Sequence, residues 1–182
     1  MKILTGTLKG REIIFKPNPH LRPTGDKVRK AIFDTLQNFI QEAVVLDLFS
    51  GTGALGLEAL SAGASQAVFV EKDKRQAQRI RENLLSLGLL EKGFVLNRDA
   101  ITALEDLNRK GRVFDIVLVD APYQKGWEAK LAGALDSFPV ISRRSWVVME
   151  CSGKSLLPEN MGPLVRKKEK VYGDTRVVIY GG

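Results

Sequence analysis

Residues 44–56 read VVLDLFSGTGALG, and this stretch decides the fold. Its opening apolar run has the length and the Val/Leu content of a strand buried on both faces. Ser50-Gly51-Thr52-Gly53 then turns the chain into a small-residue segment, Ala54 to Ala62, that reads as a helix. Gly51, Gly53 and Gly56 satisfy G-x-G-x-x-G. In a strand–turn–helix unit of this kind the first glycine permits the tight turn and the second lets a ligand approach the backbone. The third lets helix and strand pack closely.

Asp47 stands at the carboxyl end of that strand, four residues before Gly51. A dinucleotide pyrophosphate would sit over the helix N-terminus, where free amides and the helix dipole favour an anion, so a carboxylate at the mouth works against it. An acid there suits a ligand with a cationic end. S-adenosylmethionine (SAM) carries an ammonium and a sulfonium and no phosphate, and D-x-F-x-G-x-G resembles motif I of the SAM-dependent methyltransferases. A second buried strand runs from Ala67 to Val70 and ends at Glu71, twenty positions after Gly51. A Rossmann-type unit places there the acid that takes both ribose hydroxyls. The expected cofactor loop is therefore Asp47, Ser50, Gly51, Thr52 and Gly53, with Glu71 and Lys72 beside it.

Gly93 to Leu96 reads as a third strand leading to Asp99-Ala100. Asp99 can accept a hydrogen bond from an adenine amino group while Ala100 offers its amide to a ring nitrogen, or Asp99 can cap the helix that follows, or both. Val113 to Val119 forms the fourth strand and opens into Asp120-Ala121-Pro122-Tyr123. This D-A-P-Y resembles the D-P-P-Y of methyltransferases that modify exocyclic amines on bases. An aryl amine delocalises its lone pair into the ring and attacks poorly. The Asp120 carboxylate and a backbone carbonyl, that of Ala121, can each accept one amine hydrogen, return the lone pair to nitrogen and stabilise the charge that develops during transfer. Tyr123 can stack on an extruded base. Ala121 departs from the first proline of that motif, which costs stiffness of about 0.4–1 kcal/mol. The carbonyl contact survives.

The chain of 182 residues carries 28 Lys+Arg against 21 Asp+Glu, a net charge of +7 that points to a polyanionic partner. No apolar run approaches the ~20 residues of a membrane helix, and MKILTGTLKGRE lacks the features of a signal peptide. The single cysteine, Cys151, excludes an internal disulfide, and with only His20 beside it there is no Cys/His metal cluster. A cytoplasmic protein without a metal is expected. Residues 2 to 15 alternate around Lys9-Gly10 and read as a hairpin. A basic, proline-broken linker follows, so that residues 1–23 form an appendage and 24–182 the main domain. Arg22 and Thr24, in RPTGDKVR, lie at a helix start just before the cofactor strand. They can reach a ligand carboxylate, or Thr24 can simply cap the helix. Arg22, Arg29 and Lys30 are expected to meet RNA phosphates. His20 reads as a surface residue with no catalytic role.

Strands alternating with helices, closed by two strands turning at Gly173-Asp174, describe an α/β fold: a doubly wound, seven-stranded sheet with an antiparallel C-terminal hairpin and a small N-terminal β-hairpin. Trp127 reads as packing, with RNA stacking as the alternative.

Taken together, RPTGDKVRKAIFDTL, VLDLFSGTGALGLEAL, VFVEKD and FDIVLVDAPY resemble the bacterial RsmD-like family, which methylates guanine N2 in 16S ribosomal RNA. The resemblance implies a Rossmann-like class I SAM-dependent methyltransferase whose substrate is the assembled or partly assembled small ribosomal subunit. It implies that Asp47, Gly51, Gly53, Glu71 and Asp99 bind SAM and that Asp120, Pro122 and Tyr123 hold the base. A DNA adenine-N6 methyltransferase and a noncatalytic RNA-binding assembly factor are the alternatives.

Overall fold

The computed structural model describes residues 1–15, 25–121 and 126–182. His20, Arg22, Thr24, Pro122 and Tyr123 lie outside the described residues. In chain order the elements are α1 (Asp26–Leu36), β1 (Val44–Leu48), α2 (Ala54–Ser61), β2 (Gln66–Val70), α3 (Lys74–Ser86), β3 (Gly93–Leu96) and α4 (Ala100–Arg109). They continue with β4 (Phe114–Asp120), α5 (Trp127–Ser137), β5 (Ile141–Ser152), β6 (Asn160–Met161), β7 (Leu164–Tyr172) and β8 (Thr175–Gly181).

The strands form one sheet in the order β3-β2-β1-β4-β5-β8-β7-β6. β1 to β5 run parallel, while β8, β7 and β6 are antiparallel to their neighbours. The apolar runs that read as buried strands are buried: Val45, Leu46, Leu48, Ile116, Val117 and Leu118 have no exposed surface. Alternation sends Val45, Phe69, Leu118, Val148 and Val177 to one face, beneath α1, α2 and α3. Leu46, Val70, Val119, Met149 and Val178 go to the other, against α4 and α5. From β1 the chain winds outward through β2 and β3, then returns to start β4 on the opposite side of β1. The order of strand addition therefore reverses between β1 and β4, where open α/β sheets bind ligands beyond the carboxyl ends of their strands.

One expectation about the sheet is corrected. It has eight strands, not seven, because Asn160–Met161 adds a short edge strand to β7. The N-terminal segment doubles back on itself outside that sheet, with one antiparallel bridge, Lys2 to Glu12, and backbone hydrogen bonds from Ile3 to Arg11, Gly10 to Ile3 and Ile13 to Met1. Other polar groups of the segment are anchored on the main domain. Glu58 accepts from the backbone of Leu4 and Thr5, Ser61 accepts from Thr7 and Leu8, and Asn83 both accepts from and donates to the backbone of Ile14. Ile3 and Ile13 are buried in the core beneath α1 and α2.

α1 has Gly25 at its N-cap position, with no side chain capping it. It ends at Leu36, so Phe39 leaves the helix and packs on Trp146 with ring centroids 4.4 Å apart. Trp127 packs edge-on against Phe49 at 4.8 Å. Among the described residues no helix is long and apolar enough to cross a membrane.

Candidate active site

The turn after β1 carries the backbone strain expected of a ligand loop. Phe49, Gly51 and Gly53 have φ of 64°, 53° and 78°, in the left-handed region that glycine occupies at little cost and phenylalanine does not. Gly56 has the third role that the motif assigned: a Cβ there would lie 2.3 Å from Phe69 Cε1, so only glycine lets α2 settle onto β2.

Asp47 lies beneath this loop, not at its open mouth. It is 1% exposed, and its Oδ2 accepts the Gly56 N–H at 2.9 Å. Oδ1 is buried without a hydrogen-bond partner. Desolvation by burial, reinforced by the nearby Glu71 carboxylate, pushes the Asp47 carboxyl up to about 7, against the opposing pull of the Gly56 amide and the Ser50 hydroxyl. Ser50 Oγ donates to the Asp47 carbonyl at 2.7 Å, and the Gly53 N–H donates to the Ser50 carbonyl, which closes the turn. Ser50 and Thr52 are buried.

Glu71 ties the two halves of the cofactor unit together. Its Oε2 accepts the Gly51 N–H at 2.8 Å and its Oε1 accepts the Asp73 N–H at 2.7 Å. Burial raises its carboxyl above the ordinary range. Asn97, which the sequence did not single out, donates to the carbonyls of Glu71 and Lys72 and so holds the end of β2 against that of β3. Its one legible signal is its place just after a strand. Lys72 is exposed. Asp99 caps α4 through the Ile101 N–H at 3.0 Å, the capping role left open above, and Ala100 behind it is buried.

Asp120 ends β4 in the line of strand ends that begins with Asp47. Asp47 is the register partner of Leu118, so Asp120 stands one side-chain step beyond it on the same face of the adjacent strand. Ala121 turns to the opposite face and packs against the α4/α5 core. On the other side of β4, Asp120 is in register with Glu150, which is 7% exposed. Glu150 was also missed. It ends an apolar run, SWVVME, as Asp47, Glu71 and Asp120 end theirs.

Arg29 departs from its expected role. Its side chain is wholly buried and pairs with Glu58 and Asp26, so it cannot meet a phosphate. Lys30 is exposed but pairs with Asp34. Cys151 is buried, and desolvation raises its thiol, the reverse of what a nucleophile needs.

Comparison with known proteins identifies the family. A family model described as "Conserved hypothetical protein 95" matches residues 1–181. A Bacillus subtilis protein named "Putative rRNA methyltransferase YlbH" is 33% identical over 99% of this chain and 98% of its own. The Escherichia coli protein named "Ribosomal RNA small subunit methyltransferase D" is 32% identical over 99% of this chain and 89% of its own. The solved structure described as "Putative methyltransferase yhhF from Escherichia coli" superposes with a TM-score of 0.84 at 33% identity, covering 99% of this chain and 96% of that one. With the model matched over all but the last residue and relatives aligned over nearly their whole lengths, the chain belongs to this family, the RsmD-like one.

Proposed function

We propose that the chain transfers a methyl group from SAM to the exocyclic N2 amine of a guanine in 16S ribosomal RNA of the small subunit. One observation carries the reading. A strained glycine loop underlain by a buried acid and an amine-binding acid, Asp120, stand at the neighbouring carboxyl ends of β1 and β4, where the order of strand addition reverses. The names and extents of the rRNA methyltransferase relatives support the same chemistry.

The residues present fit SAM. Gly51 and Gly53 leave the loop backbone open to close approach, and Asp47 Oδ1 is an unpartnered buried acceptor under it. Each Glu71 oxygen already accepts one amide and retains a lone pair for a ribose hydroxyl. Lys72, Asp99 and Ala100 would complete the adenosine side, and Arg22 and Thr24, outside the described residues, are proposed for the ligand carboxylate on the sequence alone. SAM supplies an electrophilic methyl on a sulfonium, so the base must supply a lone pair. The Asp120 carboxylate and the Ala121 carbonyl accept the two amine hydrogens, hold the nitrogen lone pair on the transfer axis, and stabilise positive charge as it forms. Pro122 and Tyr123 would fix the base plane. Transfer would be direct: the nitrogen–methyl bond forms as the methyl–sulfur bond breaks, the electron pair stays on sulfur to leave a neutral thioether, one amine proton is released, and no covalent enzyme intermediate forms.

Labelled SAM, small subunits from cells lacking the native modification, and nucleoside digestion with mass identification test this reading. N2-methylguanosine is the expected product. N6-methyladenosine from a DNA substrate, with rRNA left unmodified, would overturn it.

A further inference from the structure

Asp120, Glu150, Val177 and Lys170 form one register line across β4, β5, β8 and β7. Register partners project from the same face of a sheet, so the Lys170 side chain rises on the face of Asp120, three strand spacings or about 14 Å away. Lys168, in register with Ile179, rises beside it. These lysines, Ala31 and Thr35 of α1, and the buried Val177 and Ile179 line a small groove, too small to enclose a strand, so that RNA would lie across its lysine rim. Lys27 continues the Ala31–Thr35 stripe one helical turn toward the N-terminus of α1.

The charges in this groove are uncompensated. Lys27, Lys168 and Lys170 are exposed, and among the described residues none has an ion pair. Two neighbouring acids, Glu169 and Asp34, are committed elsewhere. Glu169, on the far face of β7, takes Arg166 and Arg176, and Asp34 takes Lys30. Lysine on a sparsely paired edge strand can be explained by the need to discourage strand pairing, but that need does not call for a third cation on a helix opposite. Like charges gathered without counter-charge repel one another, and a phosphate backbone removes that cost by exchanging condensed counterions for lysines.

The geometry points to this groove as the track for the RNA strand flanking the target base, with Lys27, Lys168 and Lys170 holding its phosphates on the face where Asp120 holds the amine. The assignment rests on the rRNA-methyltransferase reading for its substrate, and its test does not require turnover. Wild type, a Lys27→Ala/Lys168→Ala/Lys170→Ala variant, and a charge-matched Lys9→Ala/Lys92→Ala/Lys110→Ala control are titrated with a small-subunit rRNA fragment across a salt series. The SAM-induced rise in melting temperature checks that each site is intact. The groove variant should lower the slope of log affinity against log salt by about 2 relative to wild type, with the control near wild type. Equal slopes in the groove and control variants, or a groove slope equal to wild type, overturn the track. So does a wild type that binds no RNA, an outcome that also overturns the substrate reading. A wild type that binds through the groove yet methylates no rRNA keeps the track and defeats the substrate reading alone.

Discussion

Arg29 Nε donates to Glu58 Oε1 at 3.1 Å with both side chains fully buried, so the last arginine of RPTGDKVR is an internal pin. The same carboxylate accepts the amides of Leu4 and Thr5 and the Thr5 hydroxyl, while Arg29 also donates to the Lys2 carbonyl. One pair thus joins the N-terminal segment, α1 and the helix that follows the glycine loop. Removing one partner of a buried pair leaves the other charge uncompensated. Arg29→Met should cost about 3–5 kcal/mol by urea denaturation. Adding Glu58→Gln should recover part of it, since a glutamine oxygen still accepts one amide. An unchanged urea midpoint for Arg29→Met would show that the pair holds nothing together.

Asp47 makes stability depend on pH in the direction opposite to a salt-bridged acid. Its carboxyl lies near 3.8 when solvated and is raised to about 7 in the fold, so the folded state holds the proton more tightly. The contribution is therefore complete below 3.8 and is lost as pH rises through about 7. Asp47→Asn should flatten the fall in melting temperature across that interval. A variant curve parallel to wild type would remove Asp47 as its source.

Gly56→Ala places a methyl group 2.3 Å from Phe69 Cε1, inside contact distance of a buried ring. Overpacking of this kind costs about 1–3 kcal/mol. The melting temperature should fall, and Phe69→Leu in the same background should restore part of it. Additive losses in the double variant would mean that the strain lies elsewhere.

Asp120→Ala should lower methyl transfer at least ~10²-fold, as loss of one transition-state partner does, while the SAM-induced shift in melting temperature stays near that of wild type. Loss of SAM binding in step with turnover would place Asp120 in the cofactor site instead.

Most of the sheet was legible because buried parallel strands need apolar runs and glycine must occupy the tight turns between them. The strand from Val44, the Gly51–Gly53 loop and the β7–β8 hairpin at Gly173-Asp174 all follow from local chemistry. Their order in space follows from βαβ connectivity. Where the N-terminal segment is anchored was not legible, because alternation reports which side chains are buried, not where amides find acceptors. Here Glu58, Ser61 and Asn83 supply the acceptors.

By itself the sequence determined the glycine loop, the acids at the ends of β1, β2 and β4, and the family. Only the tertiary structure decided what each charge does. Arg29, Lys30 and Lys170 are equivalent as cations along the chain, yet one is sealed against Glu58, one pairs at the surface with Asp34, and one shares a register line with Asp120. The reason is that an ion's role depends on its desolvation and on its nearest counter-charge. Lys30 finds its counter-charge four residues along its own helix, but the burial of Arg29 against Glu58 and the register that carries Lys170 to the face of Asp120 are set by which distant segments pack together.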